Sequence, residues 1–208
     1  MTSTAGTASI ASSVDNNVGF HFTHDTRLEW RRPVGCHTLH LDYTLPPDVF
    51  ADPYELDLHS DRFAYTIDTH PDLERPLSAV DYRTTLLRLN VHLPSDVAGT
   101  AHVALPLHGR YGRPLNTKRE EAYAVSYVSP PQALWQCGEG QHTYTIPIST
   151  TSPDQDVPFV IPVGLSGDLA FVQMGTALSV LAVFCYLASV FNKVHNRFII
   201  RLYQSKEE

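Results

Sequence analysis

Residues 169–191 read LAFVQMGTALSVLAVFCYLASVF, twenty-three consecutive positions without a charge. At about 1.5 Å per residue a helix of this length covers roughly 34 Å, more than the bilayer's hydrocarbon core of about 30 Å. A long helix of a soluble core shows a polar stripe, whereas here only Gln173, Thr176, Ser179 and Ser189 interrupt the apolar run. The segment therefore reads as a transmembrane helix, and it divides the chain into a large domain before it and a short tail, residues 192–208, after it.

The flanks give the helix a direction. Lys193, Arg197, Arg201 and Lys206 follow it, while no Lys or Arg occurs between Glu120 and Asp168. By the positive-inside rule the basic tail is cytosolic and residues 1–168 lie across the membrane. Those 168 residues hold eleven basic and twenty acidic side chains, an acidic balance that excludes a nucleic-acid partner. A secretory signal peptide would need a basic n-region and an apolar run, and residues 1–19 show neither. Either the helix itself targets the chain or the natural start lies upstream. The charge asymmetry is the stronger of the two signals.

Residues 1–19 are rich in Ser, Thr and Ala with almost nothing to bury, and are expected to be disordered. From Thr38 the apolar period is two. Leu39, Leu41, Tyr43 and Leu45 alternate, then Phe63, Tyr65 and Ile67, then Leu87, Leu89, Val91 and Leu93. The step recurs at Val103, Leu105 and Leu107, at Tyr123, Val125 and Tyr127, at Tyr144, Ile146 and Ile148, and at Val157, Phe159, Ile161 and Val163. About seven short strands, each with one buried face, predict an all-β, antiparallel β-sandwich-like domain over residues 20–168, followed by one C-terminal transmembrane α-helix. Pro106, Pro147, Pro158 and Pro162 fall inside these runs, so their strands should lie at edges or carry interruptions.

Chemistry-bearing patterns are sparse. Cys185 lies in the helix, leaving Cys36 and Cys137 either as a disulfide across an oxidising compartment or as two buried thiols. His21-x-x-His24 and Cys36-His37-x-x-His40 have metal-like spacing, but structural zinc takes four ligands and a strand sends His37 and His40 to opposite faces, so no metal or cofactor is expected. No nucleophile elbow, zinc-helix, P-loop or dinucleotide motif is present, and no catalytic constellation stands out.

One stretch is unusual: residues 105–114, LPLHGRYGRP. With Val103, Leu105 and Leu107 facing the core, alternation sends His108 and Arg110 together to the opposite face. Such a pair suits a carboxylate, a phosphate or a partner's carbonyls; a solvated strand end is the plainer reading of the same spacing.

This stretch combines with Leu45-Pro46-Pro47, Asp52-Pro53-Tyr54-Glu55-Leu56, Asp72-Leu73-Glu74-x-Pro76 and Ile161-Pro162-Val163-Gly164-Leu165. In this order, ahead of one C-terminal span and a short tail, the motifs resemble the PIG-X family, the non-catalytic subunit of GPI mannosyltransferase I, in its fungal form. The resemblance implies a lumenal domain on the endoplasmic reticulum membrane that binds and stabilises a polytopic PIG-M-like catalytic subunit. It places the His-x-Arg-Tyr signature on His108, Arg110 and Tyr111, followed by Arg113 and Pro114, as a lumenal partner surface, and it carries over no catalytic residue. The chain departs from the animal pattern in its signal peptide and in most of its lumenal cysteines, which leaves the insertion route and the disulfide open. Within the helix, Gly175, Ser179, Ala182 and Ser189 share one face, as expected of helices that pack closely in membranes. A cargo receptor or membrane-tethered chaperone would share this topology.

Overall fold

The computed structural model describes residues 8–94, 96–116, 122–138, 144–147 and 156–204. These divide into a β unit ending at Gly164 and a helical unit from Leu165 onward.

Eleven antiparallel strands are described in the β unit. One sheet has the order β1 (Ala8–Asp15), β2 (His21–Arg31), β7 (Ala98–Gly109), β4 (Val49–Phe50). The second runs β10 (Tyr144–Pro147), β9 (Gln132–Cys137), β3 (Cys36–Leu45), β6 (Thr85–Val91), β5 (Phe63–Ile67). A two-stranded sheet joins β11 (Val157–Pro162) to β8 (Tyr123–Val128). A short helix α1 (Pro53–Asp57) follows β4.

The sheets enclose one apolar core to which every run with the predicted period contributes where its side chains are described, save β8's. Leu39, Leu41, Tyr43 and Leu45 of β3 are fully buried, as are Phe63 of β5, Leu89 of β6, and Leu105 and Leu107 of β7. Aromatic contacts cross the interior: Trp30 of β2 meets Trp135 of β9 edge-on at 6.1 Å, and Phe22 of β2 stacks on Phe159 of β11 at 4.1 Å. The only polar island at the centre of this core is built from His24, Thr26 and Tyr43, among the described residues. Thr26 Oγ1 and Tyr43 Oη share a 2.9 Å hydrogen bond, and the His24 ring stands edge-on to Tyr43. Burial pushes the His24 imidazole down to about 4, outweighing a backbone hydrogen bond that raises it, and pushes the Tyr43 phenol up.

Pro106, Pro158 and Pro162 sit where they cost no ladder bond, and Pro147 lies on β10, an edge strand of its sheet. β4 pairs only with His108 and Gly109, so β7 has an open edge at Pro106. On β11, Val160 donates its N–H to Asn17 O, away from β8. Pro158 and Pro162 share that parity, so their missing donors point away from β8 as well.

Three expectations are corrected. Residues 8–15, expected to be disordered, form β1: its eight residues pair in register with β2, and Ile10 reaches the core. A backbone ladder plus Ile10 and the partly buried Val14, which packs against the core, suffices for an edge strand otherwise mostly of Ser and Ala. On β8 the parity is inverted. Tyr123, Val125 and Tyr127 face outward at 49–56% exposure, while Ser126 and Val128 are buried. The reason lies in the partner strand, because Phe159 opposite Ser126 and Ile161 opposite Ala124 already fill the inward face. Finally, Arg110 is not on an open face but is 6% exposed, as described below. The expectation for Tyr144, Ile146 and Ile148 falls on side chains outside the described set.

Cys36 and Cys137 are joined by a disulfide that closes β3 onto β9 across 101 residues.

In the helical unit, a 3-10 turn at Ser166–Asp168 leads into α2 (Leu169–Gln204). At about 1.5 Å per residue its 36 residues extend roughly 54 Å, so the helix outruns the apolar segment by four turns. Residues 166–196 are long and apolar enough to cross a membrane, with mean hydropathy 2.0, and none of this surface is buried within the protein.

Candidate functional site

The segments singled out in the sequence converge at the end of β7. The β2–β7 ladder places His21 directly opposite His108. Glu55 arrives from α1, whose geometry its own sequence dictates. Asp52 caps the helix by accepting from Tyr54 N at 2.9 Å, Pro53 suits the first turn where no N–H partner is needed, and Leu56 is fully buried. Glu55 is thereby aimed at the two imidazoles. His21 Nε2 lies 2.9 Å from Oε1 and His108 Nε2 lies 2.8 Å from Oε2. Burial raises the Glu55 carboxyl, but the hydrogen bonds and charges of His21 and His108 outweigh it and hold the group below its ordinary value.

Phe50, from β4, binds the cluster to its neighbour. Its ring stacks on His108 at 5.2 Å, and the Arg110 guanidinium lies 4.6 Å from its centroid. Arg110 Nη1 donates to the carbonyls of Asp72 at 2.7 Å and Arg75 at 2.8 Å. The face expected to be open is thus covered by the 72–75 segment, and burial lowers the Arg110 pKa against the opposing charge of Asp72. Gly109 is needed here, since a Cβ would stand 2.6 Å from Ile161 Cδ1. The Asp72–Pro76 and Ile161–Leu165 motifs therefore pack against the same strand end as the His-x-Arg-Tyr signature.

The remaining predicted lumenal residues stay outside. Tyr111 is 58% exposed with its ring stacked on Phe20 at 4.9 Å, and Arg113 and Pro114 are exposed. The structure brings His108 and Arg110 together through Phe50, and it shows Arg110 anchoring a loop. In α2, Gly175, Ser179, Ala182 and Ser189 are all exposed and fall within an arc of about 80° at 100° per residue. Ser179 donates to Gly175 O and Ser189 to Tyr186 O, so their hydroxyls are satisfied within the helix. Neither metal-like spacing in the sequence forms a site. His24 turns inward, and His40 bridges Asn90 of β6 and Gln136 of β9. Sequence reasoning singled out His21 in a metal-like spacing and Glu55 in a motif but joined neither to His108, because they meet it only through the β2–β7 register and the placement of α1.

Replacing Arg110 with Ala is expected to cost about 2 kcal/mol in chemical denaturation, from two charge-assisted hydrogen bonds and the Phe50 contact. Arg110→Lys should restore it only in part, because a lysine ammonium can donate to the carbonyls but lacks the flat guanidinium that lies over the Phe50 ring. An unchanged midpoint in both variants would count against this anchoring role.

A family model described as PIG-X / PBN1 matches residues 17–191, from just before β2 to the end of the uncharged run of α2. The chain belongs to the PIG-X/PBN1 family. This family is associated with the accessory, non-catalytic function of GPI mannosyltransferase I. No curated protein and no solved structure matches the chain. In this PIG-X/PBN1 member β1 lies ahead of the matched region, whereas all parts of the Glu55–His108–Arg110 cluster lie within it.

Proposed function

We propose that this chain is a subunit without catalytic activity of its own that binds and stabilises a PIG-M-like mannosyltransferase in the endoplasmic reticulum membrane. That enzyme adds the first mannose to the GPI anchor precursor. The observation that carries the reading is the family match, which takes in both the β unit and the apolar helix. Stabilisation follows from mass action, since a subunit that binds only the folded enzyme deepens its folded state.

Two apolar surfaces support the reading. In the β unit, Tyr123, Val125 and Tyr127 of β8 stand beside Pro158, Val160 and Pro162 of β11, forming a contiguous outward apolar face. Only six residues separate the end of β11 from the start of α2. The occupant of the β8–β11 face is the lumenal surface of the mannosyltransferase subunit. In α2, the Gly175, Ser179, Ala182 and Ser189 face lets a neighbouring membrane helix approach closely.

Co-purification from mild detergent tests this. The wild-type chain should bring down the mannosyltransferase. The Val125→Asp/Tyr127→Asp pair should reduce recovery at least tenfold with an unchanged melting temperature, because both side chains are exposed. No mannosyltransferase with the wild-type chain would sink the function; recovery indifferent to the β8 pair would sink only the assigned surface. Protection of residues 1–168 from protease in sealed microsomes is the expected sign of the lumenal orientation.

A further inference from the structure

We propose that His21, Glu55 and His108 form a binding site for a divalent transition metal of borderline softness, with zinc the best-suited ion. The inference stands on these three side chains and does not depend on the partner proposed above. Their ligating atoms, one on each residue, lie within 4.8 Å of one another. They come from three separate elements, β2, α1 and β7, so no local sequence pattern produces the cluster.

The distances fit. Zinc takes imidazole nitrogen at about 2.0–2.1 Å and carboxylate oxygen at about 2.0–2.2 Å, which sets neighbouring donors of a tetrahedral site roughly 3.3–3.5 Å apart. The two nitrogens stand 2.9 and 2.8 Å from different Glu55 oxygens, and the ligating atoms lie within 4.8 Å of one another, so side-chain shifts of roughly an ångström admit the ion. Two imidazoles and one carboxylate also select among cations. Calcium and magnesium take oxygen ligands, whereas nitrogen-rich sets suit zinc and its neighbours in the first transition row.

The ligands are preorganised. Cross-strand register fixes both histidines, and Phe50 flanks the His108 ring. The Asp52 cap and the fully buried Leu56 hold α1, and with it Glu55. His21 is half-exposed, at 52% of its side chain, so water can serve as a fourth ligand and the ion can exchange. A bound metal would tie α1 to the β2–β7 pair, next to the loop that Arg110 anchors.

The competing account is that both imidazoles simply donate Nε2–H to the carboxylate. The two accounts require different protonation. In the metal site Nε2 is the bare ligand and the ring proton sits on Nδ1, whereas the hydrogen-bonded arrangement keeps a proton on Nε2, so the two accounts call for different imidazole tautomers.

The test uses the full chain in detergent, prepared without a polyhistidine tag and freed of metal by chelator. Zinc ions are the binding probe and cobalt(II) ions the spectroscopic one. We expect one equivalent of zinc bound at micromolar or tighter affinity, a visible cobalt(II) ligand-field band, and a melting temperature raised by about 5 °C or more at saturating zinc. His21→Ala, His108→Ala and Glu55→Gln should each weaken zinc binding at least tenfold, while His92→Ala, at a site elsewhere on β6's flank, should leave it unchanged. Should a variant fail to fold, wild-type protein still decides: zinc must protect His21 and His108, and not His92, from acylation by diethyl pyrocarbonate. Absence of stoichiometric binding at 100-fold the micromolar range would overturn the proposal. So would binding that survives the His21→Ala/His108→Ala pair, or equal acylation with and without zinc.

Discussion

Replacing Cys36 and Cys137 together with Ala is expected to lower the unfolding free energy by about 4–5 kcal/mol. The bond spans 101 residues, and in chain-entropy terms closing a loop of that length removes the most freedom from the unfolded chain. The native state gives little back on its loss. Both cysteines are buried, at 6% and 0% exposure, and they sit opposite one another in the β3–β9 ladder, so alanines there keep the register and leave only small voids. Domains of this size are stable by about 5–15 kcal/mol, which makes this single crosslink a third or more of the total. Thermal melts of the intact chain with and without reductant check it: the wild type should fall toward the variant on reduction, and the variant should ignore reductant. Coincident melts under all four conditions would mean that β3 and β9 hold without the bond. The size of the effect also bears on the compartment, because a cytosolic β unit would be kept reduced and would forgo this contribution.

Much of the β unit is legible because a half-buried strand writes its burial directly into a period of two. β3, β5, β6, β7 and β11 each do so with Leu, Val, Ile or an aromatic at alternate positions. β2 obeys the same rule but hides it, since its inward positions are Phe22, His24, Thr26, Leu28 and Trp30, and two polar residues in the middle break the pattern. β8 shows the opposite failure. Its apolar residues alternate and yet face outward, because side-chain period reports a face without saying which face is the core; only the register with β11 decides it. β1 is invisible for a third reason: an edge strand needs one ladder and few buried side chains. The candidate site divides along the same line. His108 and Arg110 stand out in sequence through their motif, whereas His21, Glu55, and the Asp72 and Arg75 carbonyls enter through pairings 34 to 53 residues apart.

The second large effect is on pH. Burial holds the His24 imidazole neutral in the folded protein, with its pKa near 4 against 6.5 in the unfolded chain. Nδ1 is 3.4 Å from Thr26 Oγ1, and Nε2 meets no hydrogen-bond partner among the described residues, so no carboxylate compensates an imidazolium there. The nearest ionisable neighbours are Tyr43, edge-on to the ring, and Asp25, whose carboxylate turns to His102 at 2.8 Å on the outer face. Because the folded pKa is depressed, the unfolded state takes the proton first. Stability is therefore fully present above about pH 6.5 and drains away as pH falls toward 4. Two and a half units correspond to about 3 kcal/mol, of which about 2 kcal/mol is gone by pH 5. Glu55 adds to the acid loss, but in a lower window, as pH falls through its own depressed value. The difference between wild type and His24→Leu isolates the histidine: denaturation midpoints of the two should diverge progressively from pH 7 to pH 4, with the leucine chain the less acid-sensitive. Parallel curves would show that the imidazole charges without penalty, which requires that water or a carboxylate reach a fully buried ring whose neighbours Tyr43 and Leu105 are themselves fully buried.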